Sequence, residues 1–472
     1  MTAAAHAMKS GVYSPKARWI ALVAFVLVAF LLGGSSRHDV TSLIVLRPLS
    51  ALFLVYALIG MSREAWREFR GLFLLLIALV VLIWVQLIPL PPSIWASLPA
   101  REAVAALGEA MGMADLWRPI TLSPFKTWNT LFSLVVPAAA LALFAIQEDD
   151  ARRKVWIVLV IAALGTIALG ILQILGGRGS TLYFYAYTQP GYAAGLYSNR
   201  NHQGVFLATM LVVSAWWFAS LKPREPQAAL KGFMALAPVV LIIPAIFLAG
   251  SRAGLICAAL AAPVALWLVG TAPLMPETFT FGRKRKISRK FVMGAFAGLL
   301  VALVGVIALS SRALALNRLL ADESLEDLRW DVLPVLTEMA GAMFVSGSGF
   351  GAFEYAYKIY EPDSLLSPKY LNNAHNDWMQ FAIEGGFVAI AILLLLIAGI
   401  ALKALKAWRS DQSELRRRRL MAVAVIGLFG IASAVDYPLR TPSLMAFFTI
   451  ACATVWMGAQ SVQPESNSKR RR

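Results

Sequence analysis

Residues 370–404 decide the fold: YLNNAHNDWMQFAIEG, followed directly by GFVAIAILLLLIAGIALKA. The second part carries one charged side chain, Lys403. A helix of about 20 such residues spans a hydrocarbon core of about 30 Å. The first part is polar. It gathers Asn372, Asn373, His375, Asn376 and Asp377 just ahead of the apolar run. Capping explains asparagines at a helix start, because Asn201, Asn373 or Asn376 can accept from free N–H groups there. Capping does not call for a histidine.

Similar apolar runs recur along all 472 residues. The chain is 59% hydrophobic and 15% charged, against about 25% charged residues in a soluble domain. Short alternating segments, the mark of a membrane barrel, are missing from the pattern. The expectation is an all-α polytopic membrane bundle of about twelve spans. They fall near 19–34, 42–60, 71–90, 127–146, 155–175, 203–220, 232–249, 254–271, 291–309, 386–404, 420–436 and 441–459. The first run follows Lys9, Lys16 and Arg18 and reads as an uncleaved first span. The whole chain, 1–472, reads as a single integral membrane domain.

The formal net charge is +17. In a soluble chain that would suggest nucleic acid; here it reads as the positive-inside rule, and no nucleic-acid partner is expected. With both termini in the cytoplasm, most lysines and arginines fall on the cytoplasmic side. They include GRKRKISRK at 282–290, RRRR at 416–419 and the tail at 460–472. Cys257 and Cys452 both lie within spans, so neither a disulfide framework nor a cysteine metal site is implied.

That orientation leaves four outer segments. Loop 91–126 carries WRPITLSP, and loop 176–202 ends in LYSNRNHQG. AGSRAG, at 249–254, forms a tight turn, and 310–385 is a large loop. Within the large loop, Leu325, Leu328, Val332, Leu336, Met339 and Met343 follow helical spacing. That face suits packing on the bundle or lying at the interface, with Pro334 kinking or splitting the helix.

Three outer arginines sit near span ends: Arg200, Arg252 and Arg329. A guanidinium is a permanently charged fork suited to phosphate oxygens, and equally a snorkelling anchor. Arg252 favours the first role, since a turn of small residues has little need of an anchor. Arg47, inside the second span, is a weaker candidate. His202 and His375 each precede an apolar segment within an asparagine-rich cluster. Neutral imidazole can act as a general base near neutral pH. His375 is the candidate base and Asp377 its expected partner. Glu384 precedes Gly385 and Gly386, where a helix break is expected. No D-x-D triplet occurs, and the acidic run at 148–150 lies on the other face, so neither metal nor cofactor is expected. GSGFGAF at 347–353 reads as a loop rather than a nucleotide site.

Three pieces, in order, carry a resemblance: AGLYSNRNHQGVFLA at 194–208, LAGSRAGL at 248–255, and the outer loop running RWDVLPVL, GSGFGAFEYAY and AHNDWMQFAIEGG. The chain resembles the bacterial O-antigen ligase and polymerase superfamily over roughly residues 190–400. The resemblance implies a GT-C type helical bundle of the inner membrane with a large periplasmic loop of short helices, and a site facing the periplasm. It implies an inverting, metal-independent glycosyltransferase. A glycan moves from undecaprenyl diphosphate to an acceptor hydroxyl on lipid A core or on a growing polysaccharide. Arg200, Arg252 and Arg329 would hold the diphosphate and His375 would match the loop histidine. Asn199, Asn201, His202, Asn376, Asp377 and Glu384 would support them. Loop 91–126 looks more like the exopolysaccharide polymerases, which leaves the acceptor open. The alternative is a transporter or lipid-glycan flippase. Such proteins place polar groups at the membrane midplane; here they gather at the rim.

Overall fold

The computed structural model describes residues 13–275, 278–281, 285–288, 294, 298, 328–366, 371–409 and 413–458. The helices in chain order are α1 (Pro15–Leu32), α2 (Leu43–Ile59), α3 (Arg63–Val85), α4 (Pro92–Ala96), α5 (Glu102–Ala110), α6 (Pro124–Ser133), α7 (Val135–Ala145) and α8 (Asp149–Leu175). There follow α9 (Arg200–Ser220), α10 (Ala228–Ala249), α11 (Arg252–Gly270), α12 (Leu328–Ala342), α13 (Phe353–Tyr360), α14 (Asp377–Trp408), α15 (Ser413–Ala432) and α16 (Pro442–Trp456). Two small antiparallel ribbons complete the described elements: Pro89–Leu90 with Arg118–Pro119, and Thr278–Phe281 with Arg285–Ser288.

The fold is all-α. Among the described residues, eight helices are long and apolar enough to cross a membrane, with α6 and α7 counted as one, Pro124–Ala145. α2 and α16 are shorter apolar helices, and α15 starts in the charged run RRRR. These three coincide with further expected spans. Of the span expected at 291–309 only residues 294 and 298 are described; residues 310–327 and 367–370 of the large loop and the tail at 460–472 lie outside the described residues.

Side-chain oxygens start the helices where the sequence offers them. Ser14 accepts from the Ala17 N–H at 3.2 Å, Ser62 from Ala65 at 3.1 Å, Ser251 from Gly254 at 2.9 Å and Asn376 from Met379 at 3.1 Å. Helix α9 forms the centre. In its span window 94% of residues are buried, as expected of a helix that is apolar on every side. Its Trp216 and Phe206 meet Trp156 and Phe447 edge to face, and Phe447 meets Trp156 and Phe429 in the same way. α9 and α11 meet with almost no spacing. A β-carbon on Gly204 would lie 2.6 Å from Cβ of Ser251, so only glycine fits there. The contact sets the first turns of the two helices side by side.

The described part of the large loop packs on the bundle. Val332, Leu336, Met339 and Met343 bury their face against Phe353, Tyr357 and Ile383. α12 continues through Pro334, so the expected split does not occur; buried residues on both sides of the proline hold the helix in one piece. The break expected at the glycine pair does occur. Gly386 has φ 63° and ψ −161°, a conformation essentially reserved for glycine. The kink frees backbone groups of α14, and the neighbouring loop takes them up. Ser348 N donates to Ile383 O at 2.9 Å, Gly349 N to Glu384 O at 3.0 Å and Phe387 N to Phe344 O at 2.7 Å. Gln86 Nε2 adds a second bond to Glu384 O at 2.9 Å. GSGFGAF therefore serves as a clasp on the kink.

The opposite end of the bundle is closed by ion pairs: Arg18 with Glu148 (3.0 Å), Arg152 with Glu68 (3.1 Å) and Arg418 with Asp149 (2.6 Å). Arg419 donates to the Met457 carbonyl at the end of α16. Both cysteines are free and buried.

Candidate active site at the turn between α15 and α16

The turn that joins α15 to α16 reads DYPLRT, residues 436–441. It includes a 3-10 turn, Pro438–Arg440. Its aspartate, Asp436, is buried, and three polar groups converge on it. Asn201 Nδ2 donates to Oδ2 at 2.7 Å. His202 Nε2 and His375 Nδ1 each lie 3.8 Å from Oδ1. That spacing is long for a hydrogen bond. Tyr437 separates the two imidazoles. Its ring centroid is 5.3 Å from that of His202 and 4.9 Å from that of His375, edge to face in both cases.

The two histidines sit in different surroundings. The His202 side chain is fully buried at the start of α9. Its Nδ1 lies 2.8 Å from Thr441 Oγ1, and Asn199 Nδ2 approaches its Nε2 at 3.4 Å. The His375 side chain is 25% exposed, and its φ of 50° is left-handed. A non-glycine residue held there is worth a functional question.

Asp377 was the expected partner of His375, and the structure corrects this. Asp377 faces Arg440: its Oδ1 accepts from Nε at 3.1 Å, and its Oδ2 accepts from Ser433 Oγ at 3.2 Å. Its own N–H donates to Ser433 O at 2.7 Å, docking the start of α14 on the end of α15. The reason is reach: Asp377 opens the first turn of α14 and faces the 3-10 turn, whereas the left-handed backbone at His375 swings that ring toward Asp436. Arg440 also donates through Nη2 to Glu384 Oε2 at 3.1 Å. Burial works against charge on Arg440, but Glu384 and Asp377 outweigh it and raise its pKa above the ordinary value. Glu384 takes a further bond from Gln380 Nε2 at 3.0 Å. Gln380 accepts from Ala374 N at 2.9 Å, which ties the histidine loop to the helix.

The asparagines divide differently from the expectation. Asn199 and Asn376 are the helix caps. Asn201 spends its amide on Asp436, and Asn373 accepts from Gln380 Nε2 at 3.3 Å. Neither of these two caps.

Arg200 lies over Tyr192, with its guanidinium carbon 3.9 Å from the ring centroid. Its Nη1 is buried without a hydrogen-bond partner. A β-carbon on Gly250 would lie 3.5 Å from that Nη1. Arg200 therefore sits against the turn that carries Arg252, which is exposed at the first position of α11. The first motif reaches Asp436 directly, as does the loop histidine, and the second motif joins through the α9–α11 contact. Arg329 begins the described part of α12, and its side chain lies outside the described residues.

Asp436, Tyr437, Arg440, Thr441 and Gln380 were not singled out in the sequence. The signal was present: an acid and a base occupy a tight turn between two apolar runs, the argument that had favoured Arg252. Among the described residues, no group of three or more His, Cys, Asp or Glu side chains could hold a metal ion.

Beside this cluster, Asp377, Glu384 and Arg440 also roof a cavity of about 460 Å³. Its rim holds Arg37, His38, Arg47 and Lys126; its body is apolar. Lys126 Nζ lies 2.9 Å from His38 Nε2. Burial, and then the Lys126 charge, lower the His38 pKa.

Residues 237–394 match the family model of the O-antigen ligase. This region is similar to the O-antigen ligase domain. It contains Arg252, Arg329, His375, Asp377 and Glu384. Arg200, His202, Asp436 and Arg440 lie outside the matched residues. The O-antigen ligase match supports glycan transfer of the ligase or polymerase type, with lipid-linked polysaccharide as substrate. No curated protein matches the chain.

Proposed function

We propose that the protein is an inverting glycosyltransferase of the bacterial inner membrane, using undecaprenyl-diphosphate-linked glycan as donor. The convergence of His375, His202 and Asn201 on one buried carboxylate, Asp436, carries the reading. His375 is the exposed member of that group and takes the proton of an acceptor hydroxyl. The oxygen then attacks the anomeric carbon, the bond from that carbon to the diphosphate oxygen breaks, and configuration inverts. Asp436 stabilises the imidazolium that forms. Arg200 and Arg252 receive the developing charge on the leaving diphosphate, which guanidinium forks suit well. The free Nη1 of Arg200 is consistent with that task. Arg329 joins them on sequence grounds. The reading needs no metal ion, because the arginines provide the positive charge.

Orientation follows from charge. The end opposite the site carries Arg152, Arg153, Lys154 and the run at 416–419. By the positive-inside rule that end is cytoplasmic, with both termini, and the site faces the periplasm. The acceptor is lipid A core in a ligase, or a second lipid-linked glycan in a polymerase.

Purified protein incubated with lipid-linked glycan and acceptor tests the reading. Formation of a new glycosidic product, lost on His375→Ala, is the expected result. Movement of labelled lipid across the bilayer with no covalent product would mean a flippase instead.

A further inference from the structure

The outer segment between α3 and α6 has no task in the scheme above. It leaves and returns through the ribbon of Pro89–Leu90 with Arg118–Pro119, and carries α4 and α5 between them. Inside it lies Arg101, whose side chain is fully buried. Its Nη2 donates to Ile120 O at 2.7 Å and to Gly347 O at 2.9 Å. Among the described residues, no carboxylate forms an ion pair with it. Burial lowers its pKa to about 10, so the group stays charged at neutral pH. A buried cation held by carbonyls alone is a costly fastening. The segment has cheaper ones: Trp95 Nε1 donates to Pro119 O at 2.8 Å, and Leu122 N to Ser348 O at 2.8 Å. The residue just ahead, Ala100, is held at a left-handed φ of 60°. Such strain persists where the surroundings demand it.

What the charge reaches is the clasp on the α14 kink. Gly347 O and Ser348 N belong to one peptide plane. That plane takes Arg101 on its oxygen and gives its N–H to Ile383 O at 2.9 Å. The next plane repeats the pattern: Ser348 O accepts from Leu122 N, and Gly349 N donates to Glu384 O at 3.0 Å. Two consecutive peptide planes therefore run from the outer segment to two carbonyls of α14. A cation on a peptide oxygen polarises the plane and strengthens the bond made by its N–H. The approach is tight, since a β-carbon on Gly347 would collide with Glu384 O. Gln86, at the end of α3, supports the same carbonyl through Nε2 at 2.9 Å and accepts from Phe350 N at 3.0 Å. Past the backbone, the Glu384 carboxylate holds Arg440 and Gln380, and Gln380 holds Ala374 N, beside His375.

We infer that Arg101 is a positioning residue for the transfer reaction. Its charge, passed through the Gly347–Ser348 peptide, fixes α14 at Ile383 and Glu384, and so holds Arg440 and the His375 loop in place. The inference rests on the transfer reading, in which His375 must meet a substrate hydroxyl. Segment 89–122 is then part of the working site, although neither of its helices touches His375.

The test uses the full chain in detergent, with two readings: amide hydrogen exchange at Ser348 and Gly349, and transfer kinetics. Arg101→Gln removes the charge and keeps a donor. Exchange at the two amides should rise about tenfold or more, while the Trp95 and Met111 amides of the outer segment keep their wild-type rates. Its kcat should fall roughly tenfold with KM within about twofold, the mark of misplaced groups rather than lost binding. Arg101→Lys, which keeps the charge, should recover most of both readings. Wild-type exchange at Ser348 and Gly349 in Arg101→Gln would overturn the relay. So would an even loosening of the whole segment with kcat per folded molecule unchanged, since that is a fastening and nothing more. Should Arg101→Gln fail to accumulate, Gln86→Leu withdraws support from the same Glu384 carbonyl without touching Arg101. It should lower kcat with KM held, and full kcat there would overturn the link from clasp to site. A wild type that forms no glycosidic product would remove the transfer reading, and exchange in Arg101→Gln would still decide the relay.

Discussion

His202 and His375 approach the same oxygen of Asp436 at the same 3.8 Å, yet they occupy unlike regions. His202 belongs to the central helix, is fully enclosed and has Thr441 within 2.8 Å. His375 belongs to a loop, keeps a quarter of its side chain open and rests on a left-handed backbone. One carboxylate thus serves an anchored imidazole and an accessible one. In the proposed reaction a substrate reaches only the second, so accessibility rather than distance to Asp436 is the ground for proposing His375 as the base.

The largest effect tests this directly. His375→Ala should lower glycan transfer by roughly 10²–10⁴-fold, the contribution typical of a general base. Protein in the membrane should stay at wild-type level. Transfer per unit protein is the measurement, and an equal loss in His202→Ala would break the contrast between the histidines. Next come Arg252→Gln and Arg200→Gln, each expected to cost on the order of 10²-fold in kcat, as for other groups that meet developing charge. His202→Ala should act mainly on stability. Losing its buried partners should cost roughly 1–3 kcal/mol, visible as a lower thermal midpoint, with kcat reduced less than tenfold. Gly386→Ala should cost roughly 1–3 kcal/mol as well, since alanine is strained at that φ and ψ. His38 provides the smallest signal. Its pKa is lowered, so the unfolded chain takes up the proton first as pH falls through about 6.5. Stability should decline slightly over that window, and Lys126→Met should flatten the decline. Thermal unfolding at two pH values on either side of the window would measure both.

The bundle was legible because apolar length is a local property. Runs such as 386–404 announce a membrane helix without reference to any partner. The break at Gly386 was equally readable from the glycine pair after Glu384. The site was legible only where one segment concentrated unusual residues: SNRNHQG, GSRAG and AHND. Asp377 was assigned to His375 because it lies two positions away in sequence. Asp436 is 61 positions away and holds the histidine instead; no local pattern could rank the two. Arg440 was missed because a single arginine between apolar runs resembles an interfacial anchor until both of its carboxylates are seen.

The kink in α14 sets the site apart from the rest of that helix. Residues 377–385 are bolted to the α15–α16 turn through Arg440 and Ser433, while the segment after Gly386 runs the depth of the bundle. Bilayers of different thickness ask a long helix to tilt. A glycine joint just below the carboxylates lets the lower segment lean while Asp377 and Glu384 hold their places. Catalytic rates measured in short-chain and long-chain lipids should therefore differ less than in a protein whose helix is stiff throughout.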